Sequence, residues 1–104
     1  MSSFDQREKG FENKYIHDQE RDFKIRTRRN KLAGIWAAEK MKLKEQDATA
    51  YAASLVSDAV DGVPDENLIA KILKDLTDKE VKITEDQLKE EMERFYAEAK
   101  KAFE

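Results

Sequence analysis

The chain has 104 residues, 41% charged and 39% hydrophobic, with a net charge of -3. That length holds one small domain, and the thin apolar share points to a helical chain with a modest core or a partly disordered segment. The absence of cysteine excludes disulfides, thiolate zinc sites and thiol nucleophiles. With no apolar run near the roughly 20 residues of a membrane span and no signal-peptide core, a cytoplasmic location without membrane insertion is expected.

No proline precedes Pro64, so nothing forbids a first helix from about residue 4 to 43. Its second half carries Leu32, Ile35, Trp36 and Leu43, enough to join a core. Gly34 costs about 1 kcal/mol relative to alanine there but allows a close contact with a neighbour. Residues 24–44 hold eight bases against Glu39, whereas residues 45–80 hold nine acids against three lysines. The two blocks neutralise each other if they lie side by side, so the basic one reads as a solvated face with intramolecular partners.

The first half of this helix is different. Between Asp5 and Lys31 there are fifteen charged residues and five apolar ones. Fixing a backbone costs roughly 1–2 kcal/mol per residue, and helical hydrogen bonds only bring propagation close to neutral. Phe4, Phe11, Tyr15 and Ile16 offer at most about 1.5–3 kcal/mol apiece if fully buried. Residues 1 to 20 are therefore expected to form a fraying helix that orders against a partner. Phe4, Phe11 and Tyr15, spaced seven and four, make a one-sided stripe suited to a groove; the bland alternative is that they pack back on their own domain.

The second segment, 46–61, carries Ala48, Tyr51, Ala52, Leu55 and Ala59, an alanine-rich face that suits close approach, and Gly62 marks its end. Pro64, Asp65 and Glu66 read as the start of a third helix over 65–78 with the stripe Leu68, Ile69, Ile72, Leu73, Leu76. The fourth, 84–103, opens on a Thr84/Gln87 capping box flanked by Ile83 and Leu88. It continues as Leu88, Met92, Phe95, Ala99, Phe103. The expected fold is all-α, a four-helix bundle whose long first helix is mobile at its N-terminal end.

Catalytic and metal signatures do not emerge. His17 is the single histidine and reads as a surface residue. Gly10, Gly34 and Gly62 are isolated, so no phosphate-cradling glycine loop exists. Acid pairs such as Glu90 and Glu91 read as solvated helix surface, and no di-metal pattern accompanies them. No enzymatic activity, cofactor or metal is expected. Arg28 and Arg29, beside Trp36, are the candidates for a weak anion or adenine-nucleotide contact. A small helical nucleotide-sensing or nucleic-acid-associated protein using residues 24–44 is the alternative reading. No base-reading motif supports the nucleic-acid form of it, so no nucleic-acid partner is expected.

Three stretches then carry a resemblance: FDQREKGFENKYIHDQE, RRNKLAGIWAAEKM and AYAASLV, in that order. Together they resemble the zeta subunit of alphaproteobacterial ATP synthase, an inhibitor of ATP hydrolysis, over essentially the whole chain. The resemblance implies a four-helix bundle over residues 20–104 and a mobile inhibitory segment over 1–19. That segment would insert between the large subunits of the catalytic head and near the central rotor shaft, blocking rotation in the hydrolysis direction. Phe4, Phe11 and Tyr15 would be its apolar anchors. Asp5, Arg7, Glu8, Lys9, Glu12 and Lys14 would supply polar contacts. A monomer, peripheral to the inner membrane through ATP synthase, is the implied state.

Overall fold

The computed structural model describes the backbone of residues 3–103 and the side chains of residues 19–103. Among these, four helices and no strand occur: α1 (Ser3–Lys40), α2 (Glu45–Val60), α3 (Asp65–Asp78) and α4 (Glu85–Lys101). The expected all-α four-helix architecture is the one observed. The mobility expected of the N-terminal part of α1 concerns residues 1–18, whose side chains lie outside the described residues.

The three connections share one device. After α1, Leu43 N–H donates to the Ala38 carbonyl (3.0 Å) and Lys42 N–H to Glu39 (3.1 Å), with Lys42 at φ +56°. After α2, Val63 donates to Asp58 and Gly62 to Ala59, with Gly62 at φ +74°. After α3, Val81 donates to Leu76 and Glu80 to Thr77, with Glu80 at φ +62°. Each left-handed residue turns the chain so that two orphan carbonyls of the last turn gain donors. Glycine fills only one of these positions. Lys42 and Glu80 hold a conformation costing L-residues roughly 1–2 kcal/mol, which the packing on either side must offset. The first helix therefore stops at Lys40 rather than at the expected 43, ended by the left-handed Lys42, a turn that no glycine marks in the sequence. Pro64, extended at ψ 149°, is the residue before α3, and Asp65 and Glu66 occupy its first turn. At α4 the capping box is complete: Gln87 N–H donates to Thr84 Oγ1 (3.1 Å) and Thr84 N–H to Gln87 Oε1 (3.0 Å).

α2 and α4 pack along α1, and α3 closes the bundle against α4 and α1. On the α1–α2 side the helices meet through small residues. A Cβ built on Gly34 would lie 2.6 Å from Ala52 Cα and 3.3 Å from a Leu55 methyl, so only glycine permits this separation. The close contact expected at Gly34 is therefore present. On the other side the core is made of large residues: Leu68, Ile72, Leu76, Leu88, Met92 and Phe95 are all buried. The Trp36 ring meets Phe95 edge-on at 5.9 Å between centroids.

Two expectations about the core need correction. α1 contributes Ile25, Ala33, Ala37 and Ala38 to the buried set, with Met41 just beyond its end, while Ile35 is 43% exposed and Leu32, Trp36 and Leu43 pack at the core's margin. The helix keeps its small residues inward because α2 approaches too closely for a larger row. Phe103 does not complete the α4 stripe; it is exposed, two residues beyond the end of α4 at Lys101.

Candidate functional site

The described part of α1 carries charge on the side that meets α3 and α4, and there the charges are engaged. Arg29 is 6% exposed. Its guanidinium donates through Nη2 to Asp65 Oδ1 (2.9 Å) and through Nη1 to Asp65 Oδ2 (3.2 Å), a two-pronged ion pair from α1 to the first residue of α3. Nε and Nη2 also donate to Oδ1 of buried Asn30, at 3.1 and 2.9 Å. Asn30 Nδ2 in turn donates to the Leu55 carbonyl at 2.9 Å. The chain Asp65–Arg29–Asn30–Leu55 thus runs through three helices. Hydrogen bonds from Arg29 hold the Asp65 carboxyl below its ordinary range, against the opposing effect of partial burial.

Two turns further toward the N-terminus, Tyr96 of α4 donates its hydroxyl to Asp22 Oδ1 at 3.1 Å, and Arg26 pairs with the same carboxylate at 3.6 Å. Burial, then the hydrogen bond to Asp22, raises the Tyr96 phenol above its usual value. On the α2–α3 side, Tyr51 donates to Asp75 Oδ2 at 2.9 Å and Lys71 to Asp58 Oδ2 at 2.9 Å. Burial and the Asp75 contact raise the Tyr51 phenol as well. The bonds of Tyr96 and Arg29 tie α1 to α4 and α3, and those of Tyr51 and Lys71 tie α2 to α3.

Of the residues singled out in the sequence, Phe4, Asp5, Arg7, Glu8, Lys9, Phe11, Glu12, Lys14 and Tyr15 have side chains outside the described residues, as does His17. Arg28 and Arg29 are divided by the fold. Arg29 spends its donors on Asp65 and Asn30, whereas Arg28 is exposed. The bundle brings Asp22, Asn30, Asp65 and Tyr96 to the root of α1, and sequence reasoning passed over all four. A signal existed for two partners. Arg29 lies four residues after buried Ile25 and four before buried Ala33, and a polar residue on a core row requires a buried partner. Among the described residues no group of three His, Asp or Glu side chains is placed to hold a metal ion. Nor is any helix long and apolar enough to cross a membrane.

Against this geometry stand the comparisons with known proteins. No curated protein and no solved structure matches. A family model described as ATPase inhibitor subunit zeta matches residues 1–102, which takes in the whole of α1 and all three connections. With a match over nearly the full length, and three shorter helices gathered on one long one, the chain belongs to the ATPase inhibitor subunit zeta family.

Proposed function

We propose that this chain inhibits ATP hydrolysis by a rotary ATP synthase, inserting residues 1–19 as a helix into a catalytic interface while the bundle stays outside as a stop. The carrying observation is that the family match begins at residue 1, so it includes the segment read as inhibitory in the sequence. Helix lengths support the reading: α1 has 38 residues against 16 and 17 for α2 and α4, the helices packed along it. Spacing adds a direction. Phe4, Phe11 and Tyr15 lie in the same helical row as Asp22, Arg26 and Arg29, separated by steps of seven, four, seven, four and three. Hydrogen bonds from Tyr96 to Asp22 and from Arg29 to Asp65 hold the described part of that row against α4 and α3.

A helix wedged beside an asymmetric shaft meets different surfaces as the shaft turns each way. Hydrolytic rotation draws it deeper and synthetic rotation expels it, so inhibition is unidirectional. The test adds wild-type protein and a Phe4→Ala/Phe11→Ala/Tyr15→Ala variant to the same energised vesicles and measures ATP hydrolysis and proton-driven synthesis. Wild type should suppress hydrolysis much more than synthesis. The variant should lose the effect, since truncating a buried aromatic anchor costs several kcal/mol of binding. Equal suppression in both directions would defeat the ratchet, and an undiminished block by the variant would remove the stripe from the mechanism.

A further inference from the structure

The side of α1 turned away from α4 is built unlike the rest of the bundle. Lys24, Arg28, Lys31, Ile35 and Glu39 follow one another at steps of four, three, four and four and are all exposed. Beside them on α2 are Ala53 and Val56, and Val60 follows Val56 one helical step on, 59% exposed. Lys31, Ile35, Glu39, Glu45, Ala53 and Val56 line one groove between the two helices. Ile35 and Val60 are two of the four large apolar side chains left exposed among the described residues. None of Lys24, Arg28, Lys31, Glu39 or Glu45 takes part in an ion pair among the described residues, whereas Arg26, Arg29, Lys71, Lys74, Lys89 and Arg94 all do. The face is therefore polar in the directional sense: three cations at the end where α1 leaves the bundle, an apolar middle, and two carboxylates at the far end.

We propose that this α1/α2 face is a second docking surface of the inhibitor, and that its occupant is a ridge on the same ATPase with acids opposite Lys24, Arg28 and Lys31 and apolar side chains over Ile35, Val56 and Val60. The proposal rests on the reading that residues 1–19 enter that enzyme. Two features select this occupant over a second copy of the chain. From Lys24 to Glu39 the face is about 23 Å long and two helices wide, roughly half of the ~800 Å² per partner that a stable pair needs. Standing alone it holds a partner weakly; tethered to an inserted helix it acts at a high effective concentration and adds to the total affinity. Its cationic end also begins at Lys24, five residues beyond the inserted segment on the same helix, so the enzyme surface gripping that segment is the surface within reach. Unpaired cations at that end raise the rate of encounter with an acidic surface, and the opposed charges at the two ends fix the direction in which the ridge lies.

The experiment uses full-length protein with purified ATPase and measures both binding and hydrolysis as inhibitor is added. In Lys24→Glu/Arg28→Glu/Lys31→Glu, and separately in Val56→Lys, the half-inhibitory concentration should rise at least tenfold while the thermal melt of the bundle shows it folded. Wild-type binding should weaken steeply between low and high salt, and the charge-reversed variant should lose most of that dependence. The Phe4→Ala/Phe11→Ala/Tyr15→Ala variant should no longer inhibit yet still bind weakly, and adding the three charge reversals should abolish that residual binding. An unchanged half-inhibitory concentration in both face variants would overturn the docking surface. Undiminished inhibition by the aromatic variant would overturn the insertion reading instead, and the face variants would still judge the face on their own. A wild-type dimer at assay concentrations that Val56→Lys converts to monomer, measured by sedimentation, would reassign the face to a second copy.

Discussion

The two sides of α1 carry similar charges and put them to opposite uses. On the side toward α3 and α4, Asp22, Arg26 and Arg29 are each bonded, to Tyr96, Asp22 and Asp65 in turn. On the outer side, Lys24, Arg28 and Lys31 join none of the ion pairs among the described residues. Arg28 and Arg29 are neighbours in the chain, so no difference of composition separates them; a rotation of about 100° about the helix axis does. Charge on one side of the helix is spent holding the bundle. Charge on the other remains available for encounter.

The largest effect should come from breaking the spent side. Arg29→Ala takes both donors from Asn30 Oδ1 and the counter-ion from Asp65, and it opens a void beneath α3. A loss of about 2–3 kcal/mol in urea-unfolding stability is expected, whereas Lys31→Ala on the outer side should stay within about 0.5 kcal/mol. Similar costs for the two substitutions would erase the distinction between the sides.

Acid should sharpen it further. The folded-state value of Asp65 lies below its unfolded one, so its contribution is complete above about pH 4, the ordinary carboxylate range, and is lost as pH falls through the lower folded value. Nearly half of the Asp65 side chain is open to solvent, which screens the pair and keeps this contribution to about 1 kcal/mol or less. Asp65→Asn should lower stability at neutral pH by that amount and flatten the acid limb of the stability profile. A variant profile parallel to wild type down to pH 2 would show that the ion pair carries none of the acid sensitivity.

The smallest effect is a gain. Lys42→Gly at the stop after α1 relieves a left-handed backbone at φ +56°, partly offset by the greater freedom of glycine in the unfolded chain. Stability should rise by about 0.5 kcal/mol with the helix content by circular dichroism unchanged. A decrease would mean that the lysine side chain contributes contacts beyond its backbone role.

These particulars mark how far the amino-acid sequence reaches. The start of α3 after Pro64, the capping box of Thr84 and Gln87, and the stop at Gly62 are local events, each set by residues close by in the chain. So was the apolar row of α4 from Leu88 to Ala99, because its inward face is the only continuous apolar one it has. The stop at Lys42 left no local trace, and although the third helix was expected to end at 78, as it does, no glycine marks the left-handed position at Glu80. Both residues would prefer the right-handed region, and they are held left-handed by what α1, α2, α3 and α4 gain on packing.

Sequence alone determined the number of helices and their approximate spans, and it marked Gly34 as a place where a neighbour could come close. It could not choose between the rows of α1. Ile35 lies one step along the helix from Gly34 and is turned outward with it pointing in, because α2 comes so close that only the row of Ala33, Ala37 and Gly34 fits against it. For the same reason it could not say which arginine is structural: Arg29 is buried only because the first residue of α3 arrives opposite it, 36 positions later in the chain. Helical period is a property of the local backbone and can be read from spacing. Burial and pairing belong to whichever surface arrives from elsewhere in the chain, and only the packed bundle supplies that surface.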